Sequence, residues 1–303
     1  MSTTPEGMSR RDLCVGLLTL AGAGALGACR SGGAVTQGAD DGEPPDSDDP
    51  VADTDPTTSD PTETGSADVA WATGGTASMT GEYADPFTDE AAACALLCPL
   101  TLGPCYAETV ERKDISEGWT GLPARLALQV VDEACDPVAG ATIDVWHTSF
   151  AGLYSGDDAA QMCTNGDTEA RAHRFFRGAQ TTDADGRVDF DTCFPGWYSS
   201  RTVHIHFTIR RDGQEYLTSQ LFFPQELIRD VFANHPEYRG FGQPDTTNTS
   251  DTVLGDADAG PYTLSARRMA DGALLAWKRL VIRSSLATSV CSAGGGAGGP
   301  PPR

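Results

Sequence analysis

Basic residues are scarce in this chain: Lys and Arg number 21 against 43 Asp and Glu, a formal net charge of -22 at pH 7. Nowhere do they gather into a patch, and without one a nucleic-acid partner is not expected. Long apolar runs are scarce too. The run Cys14–Ala25 is rich in Gly and Ala and is about half the roughly 20 residues that a spanning helix needs, which argues against a transmembrane anchor. No segment recurs with a period of roughly 20 to 50 residues, which removes solenoids and propellers. A structural zinc site is not signalled either: Cys94-x-x-x-Cys98 has no second Cys or His pair at a spacing that would complete one.

What the first residues do contain is an address. Ser9-Arg10-Arg11-Asp12-Leu13, the short apolar run and Leu26-Gly27-Ala28-Cys29 form the pattern of a twin-arginine export signal that ends in a lipobox. The alternative is an ordinary exported protein with a coincidental cysteine. Residues 1–29 are therefore expected to be a signal peptide. Lipid on Cys29 would then anchor the exported protein to the membrane, on the periplasmic or extracellular face of the envelope. That export route carries folded proteins, which suits a cofactor loaded inside the cell.

Between Ser31 and Ala70 stand eleven acidic residues and no basic one, half of the net charge, among Pro, Thr, Ser and Gly. Such a stretch repels itself and buries little, so residues 30–87 are expected to be a disordered tether. Residues 88–290 are expected to fold, and residues 291–303 to form a Gly- and Pro-rich tail. Setting aside Cys14 and Cys29 leaves seven cysteines (Cys94, Cys98, Cys105, Cys135, Cys163, Cys193 and Cys291), which outside the cytoplasm implies up to three disulfides and one free thiol.

Within the domain, β-branched and alternating segments recur at strand length: Arg125–Val131, Ala141–Trp146, Arg187–Phe190, Val203–Ile209, Tyr216–Phe222 and Ala273–Ile282. Turn signals separate them. The expected fold is all-β, an antiparallel β-sandwich with long loops and a few short helices, at Thr88–Leu97 and Pro224–Ala233. Asp183-Ala184-Asp185-Gly186 resembles part of a calcium loop, but its glycine is misplaced and no glutamate closes it, so a hairpin turn is the better reading.

In Val203-His204-Ile205-His206-Phe207-Thr208-Ile209, strand parity puts the two histidines on one face and the apolar residues on the other. Residues i and i+2 lie roughly 7 Å apart along a strand, so both imidazoles can reach one ion at bonds of about 2.1 Å. Alone the pair proves little, since a half-exposed strand needs polar residues on its solvent face anyway. No carboxylate or third histidine stands at a spacing that would complete a ferrous triad or a catalytic zinc site. Tyrosines do stand near, Tyr198 six residues upstream and Tyr154 just past Asp144-Val145-Trp146-His147. Two phenolates with two imidazoles favour trivalent iron, although each tyrosine taken singly also reads as rim packing.

These segments together resemble the intradiol ring-cleavage dioxygenases, from about Cys98 to Leu254. The resemblance is carried by Thr101-Leu102-Gly103-Pro104-Cys105-Tyr106, Gly152-Leu153-Tyr154, Phe176-Arg177-Gly178, Gln180-Thr181-Thr182-Asp183, Pro195-Gly196-Trp197-Tyr198, Arg201-Thr202-Val203-His204-Ile205-His206 and Thr218-Ser219-Gln220-Leu221-Phe222-Phe223. It points to the exported single-domain branch, and it implies Fe(3+) held by Tyr154, Tyr198, His204 and His206. Tyr198 would be the axial phenolate that leaves to a catechol-like diol, taking its proton, with His206 opposite. Arg201 and Gln220 match positions beside the substrate ring, where a guanidinium offsets developing negative charge. Dioxygen and a catechol-type aromatic would give a muconate-type diacid without an external reductant. The sequence departs from the family at Cys105-Tyr106, where an aromatic pair is usual; the pocket wall there differs, or Cys105 is tied into a disulfide. His147 and His173 read as satisfied polar residues rather than supports for the site, and His235 as a loop residue. Two rival readings are an inactive β-sandwich binding module and a zinc hydrolase built on His204 and His206.

Overall fold

Among the described residues eight strands form, six of them where β-branched and aromatic residues recur: β1 (Pro123–Asp132), β2 (Thr142–Trp146), β3 (Arg177–Thr181), β4 (Arg187–Cys193), β5 (His204–Arg211), β6 (Gln214–Phe222), β7 (Ser265–Arg268) and β8 (Leu274–Ile282), the exceptions being β3 and β7. Three short helices, α1 (Gln161–Thr164), α2 (Thr168–Ala172) and α3 (Gln225–Asn234), lie in the connections. The structure, a computed structural model, describes residues 69–89 and 93–291. The expected signal peptide, Cys29, the acidic run up to Asp68 and the tail beyond Cys291 lie outside the described residues. Among the described residues no helix is long and apolar enough to cross a membrane.

Two four-stranded sheets, ordered β4-β1-β8-β7 and β3-β2-β5-β6, form the expected sandwich. Every pairing is antiparallel except β1 with β8, which is parallel. Leu126, Leu128 and Val130 of β1 and Phe190 of β4 meet Ile143 and Val145 of β2 and Ile205, Phe207 and Ile209 of β5 in one core. Strand parity in β5 thus puts the odd-numbered residues inside and leaves the face of His204 and His206 for the site.

Two strands were not expected. β3 reads Arg-Gly-Ala-Gln-Thr, with little β propensity, and Gly178 is required because a Cβ there would meet Ile115 at 2.2 Å. β7 is a short polar edge strand. The Asp183–Gly186 turn is real, with Asp183 Oδ1 accepting from the amides of Asp185 and Arg187. It is not a hairpin, because β3 and β4 belong to different sheets and the turn carries the chain between them.

Two further expectations need correction. The helix at Thr88–Leu97 is replaced in its described parts, residues 88–89 and 93–97, by irregular chain. Cys94 is bonded to Cys135, Cys98 to Cys291, and the Leu97 amide donates to the Val281 carbonyl, so the segment is drawn out along β8. The helix at Pro224–Ala233 forms one residue later, with Pro224 as N-cap. The acidic tether was extended too far. Residues 69–87 pack on the domain: Trp71 Nε1 donates to Asp230, the Gly75 amide to the Gly121 carbonyl, and the Tyr83 hydroxyl to Asp271. Trp71 also stacks under the Arg268 guanidinium, 3.7 Å from its ring centroid. These aromatics, which lie past the acidic run, supply the burial that ordering needs. At the other end Cys291, assigned to the tail, is held by its disulfide. The third disulfide is Cys105–Cys163, and among the described residues Cys193 is the free, buried thiol.

Candidate metal centre

The site assembles where two loops interlock beside β5. Past β2, the Thr148 hydroxyl donates to the Gly196 carbonyl, and the Gly196 amide donates to the Ser149 carbonyl. Gly152 takes φ +76°, and a Cβ on it would stand 2.2 Å from the Trp197 carbonyl oxygen; one on Gly196 would stand 2.4 Å from that of Phe150. Only glycine lets the two backbones approach this closely, and the approach brings the rings of Tyr154 and Tyr198 to 5.8 Å. His204 and His206, one strand parity apart, present their rings on the same face at 4.8 Å.

All four residues expected as ligands converge. His204 Nε2 lies 3.1 Å from His206 Nε2, 3.2 Å from Tyr154 Oη and 3.3 Å from Tyr198 Oη. The two hydroxyls are 3.5 Å apart. The strand was expected to be half-exposed, but loops cover this face, leaving His204 at 3% and His206 at 2% exposure. One such loop carries Gly103, whose Cβ position would lie 3.2 Å from His206 Cε1, so a larger residue would press on the imidazole. That loop is docked by Gln220 Nε2, which donates to the Thr101 carbonyl. Trp146, His206 and Gln220 are register partners across β2, β5 and β6, and the Trp146 indole stacks on His206 with planes 10° apart.

Burial first, and the Arg201 charge second, push His204 down to about 3; burial and His204 hold His206 far below the usual histidine range. Both imidazoles are therefore neutral. Burial, then Tyr198, raises the Tyr154 phenol well above its ordinary value. His204 Nδ1 lies 2.6 Å from the Thr202 carbonyl oxygen, so the proton sits on Nδ1 and Nε2 offers one lone pair. Three polar atoms crowd that lone pair. One in-plane lone pair accepts a single good hydrogen bond, so it cannot serve all three neighbours at once, whereas a cation could be shared by the four groups. Two phenolic oxygens with two imidazole nitrogens suit a hard trivalent ion. Among the described residues no group of three or more His, Cys, Asp and Glu is placed to hold a metal ion.

Arg201 and Gln220 border the four. Arg201 Nη1 lies 3.5 Å from Tyr198 Oη, and Nη2 donates to Gln220 Oε1. Three participants escaped the sequence reading. Asp251 accepts from Arg201 Nε at 2.9 Å, yet it stands in a Thr- and Ser-rich run that reads as plain loop. Arg177, fully buried, donates to the carbonyls of Ser155 and Cys105 with its guanidinium over the Tyr154 ring; its signal was an arginine inside an otherwise apolar strand start. Trp146 carried a signal only through its β2 register. His147, fully buried, is bracketed by the Thr148 carbonyl and the Thr192 hydroxyl; His173 meets Glu117, and His235 the Ala72 carbonyl. Cys105, where the family pattern is broken, is bonded to Cys163, whose carbonyl accepts from the Tyr154 amide.

A family model described as dioxygenase matches residues 103–252. A catechol 1,2-dioxygenase of Acinetobacter lwoffii is 32% identical over 156 residues, 43% of this chain and 48% of that protein. A hydroxyquinol 1,2-dioxygenase of Rhodococcus opacus is 28% identical over 142 residues, 40% of this chain and 44% of that protein. The chain thus spans about half the length of the curated relatives it matches. Among solved structures, an intradiol ring-cleavage dioxygenase of Tetranychus urticae superposes with a TM-score of 0.57 at 26% identity, over 65% of this chain and 98% of that one.

Proposed function

The chain belongs to the intradiol ring-cleavage dioxygenase family, and on that footing we propose that it opens catechol-type rings between the two hydroxylated carbons with dioxygen, giving muconate-type diacids. The observation that carries this reading is the crowding of Tyr154 Oη, Tyr198 Oη and His206 Nε2 around the single lone pair of His204 Nε2. Tyr154, Tyr198, His204 and His206 would hold Fe(3+). Once bound, the ion would supply the positive charge that makes a diol acidic and leaves its ring electron-rich enough to react with dioxygen.

The chain's own groups divide the remaining work. Tyr198 is half-buried at the edge of the cluster, and its Oη is placed to receive a proton from a substrate hydroxyl. Arg201 Nη1, beside that oxygen, favours negative charge arriving at the same place. Gln220 is fixed at both ends, by Thr101 and by Arg201, and so offers a rigid polar wall to the ring. Tyr154, 2% exposed, stays in place, while Gly103 and Trp146 pack His206 and keep water from it. Relatives named for catechol, chlorocatechol and hydroxyquinol support a simple dihydroxybenzene ring as the substrate class. The test is oxygen uptake with catechol, with labelled dioxygen and mass spectrometry of the product. A diacid carrying both oxygen atoms supports the reading; no uptake with any catechol, or a semialdehyde product, defeats it.

The same proposal places the protein outside the cytoplasm, lipid-anchored through Cys29. The twin-arginine and lipobox patterns support it, and so do three disulfides, which persist where the surroundings oxidise. Palmitate labelling should be lost in Cys29→Ala; labelling that survives the substitution excludes the anchor.

A further inference from the structure

Arg201 is useful only if its guanidinium cannot swing, and the carboxylate that prevents this comes from a loop 50 residues away in sequence. We propose that Asp251 is the positioning residue of the site, the group that sets the angle at which Arg201 faces Tyr198 and the substrate. This rests on the reading of Arg201 as a group beside the reacting ring. The Asp251 side chain is entirely shielded from solvent. Its Oδ2 accepts from Arg201 Nε and from the Thr202 amide, each at 2.9 Å, and its Oδ1 accepts from the amides of Val253 at 2.9 Å and Leu254 at 3.4 Å. Four donors therefore fix both oxygens.

The consequence for Arg201 is geometric. A guanidinium has five N–H groups in a rigid fork; with Nε held by Asp251, the plane is set and both terminal nitrogens are committed outwards, Nη1 to Tyr198 Oη and Nη2 to Gln220 Oε1. Through the Thr202 amide the same carboxylate holds the residue whose carbonyl fixes the His204 tautomer. A second support stands behind it: the Thr202 hydroxyl donates to Asn248 Oδ1, and Asn248 Nδ2 donates to the Phe223 carbonyl just past β6. Asn248 thereby ties Thr202 to the end of the sheet, while Asp251 holds Thr202 and Arg201 from the other side.

The experiment is a double-mutant cycle of Asp251→Asn and Arg201→Ala in the iron-loaded full chain, with catechol turnover, anaerobic catechol affinity, metal content and a crystal structure of Asp251→Asn. Asp251→Asn alone should lower kcat/KM roughly ten- to hundredfold, the size of effect that a misplaced catalytic group produces, with metal content retained and the guanidinium displaced from Gln220. Added to Arg201→Ala it should cost less than about threefold. Full additivity, near-wild-type turnover of Asp251→Asn, or an unmoved guanidinium overturns the proposal. If Asp251→Asn does not fold, Asp251→Glu, which keeps the charge but shifts the carboxylate by one methylene, is read in the same two backgrounds. A wild-type protein that binds no iron and consumes no oxygen defeats the functional reading instead, and the guanidinium position then still decides the role of Asp251.

Discussion

Tyr154 and Tyr198 bring their hydroxyls within 3.5 Å of each other, yet the loops that carry them are anchored by different chemistry. The Tyr154 loop is stapled covalently. Its amide donates to the Cys163 carbonyl, Cys163 is bonded to Cys105, and the buried Arg177 joins the Cys105 carbonyl to that of Ser155. The Tyr198 loop is latched by carboxylates. Asp245 accepts from the Ser199 hydroxyl and the Ser200 amide, Asp251 accepts from Arg201 and Thr202, and Ser200 sits at φ 71°, a conformation that costs a non-glycine residue energy. On the proposed reading the staple would suit Tyr154, the ligand that stays, and the exposed Asp245 latch would suit Tyr198, the one that moves aside and returns.

The sharpest way to break this contrast is to remove each hydroxyl. Tyr154→Phe should lower metal affinity by more than about a hundredfold, beyond what loss of a supporting residue costs, and turnover should vanish with the metal. Tyr198→Phe should keep metal within about tenfold of wild type while losing turnover; metal analysis of the two purified variants decides. Next in size is the staple itself. Replacing Cys105 and Cys163 by serine removes a cross-link spanning 58 residues, which on the chain-entropy model costs about 4 kcal/mol, read by urea unfolding. A protein that loses nothing leaves the Tyr154 loop no better held than its neighbour.

A third effect comes from His147, which lies between the two loops. Burial pushes it down to about 4, with Arg177 adding a smaller push and the Thr148 carbonyl opposing both. The unfolded chain takes up its proton near 6.5 and the folded one only near 4, so between those values the unfolded state binds more protons and stability falls as the pH falls. The loss is about 3 kcal/mol across that window, with no further loss from this group below it. Urea midpoints of the iron-loaded protein at pH 7 and pH 4.5 measure it, and His147→Gln should flatten the slope. Smallest is the exposed latch: Asp245→Ala should cost at most about 1 kcal/mol in thermal unfolding. A larger loss would mean that the Tyr198 loop is as rigidly built as the other.

Much of this was legible beforehand because parity and spacing are local. Alternation in Val203–Ile209 is enough to place both histidines on one face, whereas the close backbone approach at Gly152 and Gly196 shows only in the fold. The Cys105-Tyr106 departure already pointed to a disulfide or an altered wall, and the disulfide is what formed. What escaped was long-range. Asp251 looks like any loop aspartate until the fold sets it against Arg201, and β3 exists because β2 pairs with it rather than through its own residues. The tether was over-extended because the acidic composition that marks it ends at Ala70, whereas Trp71 and Tyr83, whose contacts hold residues 69–87, lie beyond it. The helix expected at Thr88–Leu97 gave way to two disulfides and one amide bonded to β8, an override that no helix propensity can foresee.

The most direct test of the centre is the visible absorption of the purified iron protein beside its Tyr154→Phe and Tyr198→Phe variants. A phenolate on ferric iron gives a broad visible band. The wild type should show it, Tyr198→Phe should shift and weaken it, and Tyr154→Phe should lose it together with the iron. A colourless wild type carrying zinc, or a band that neither substitution alters, contradicts the four-residue centre.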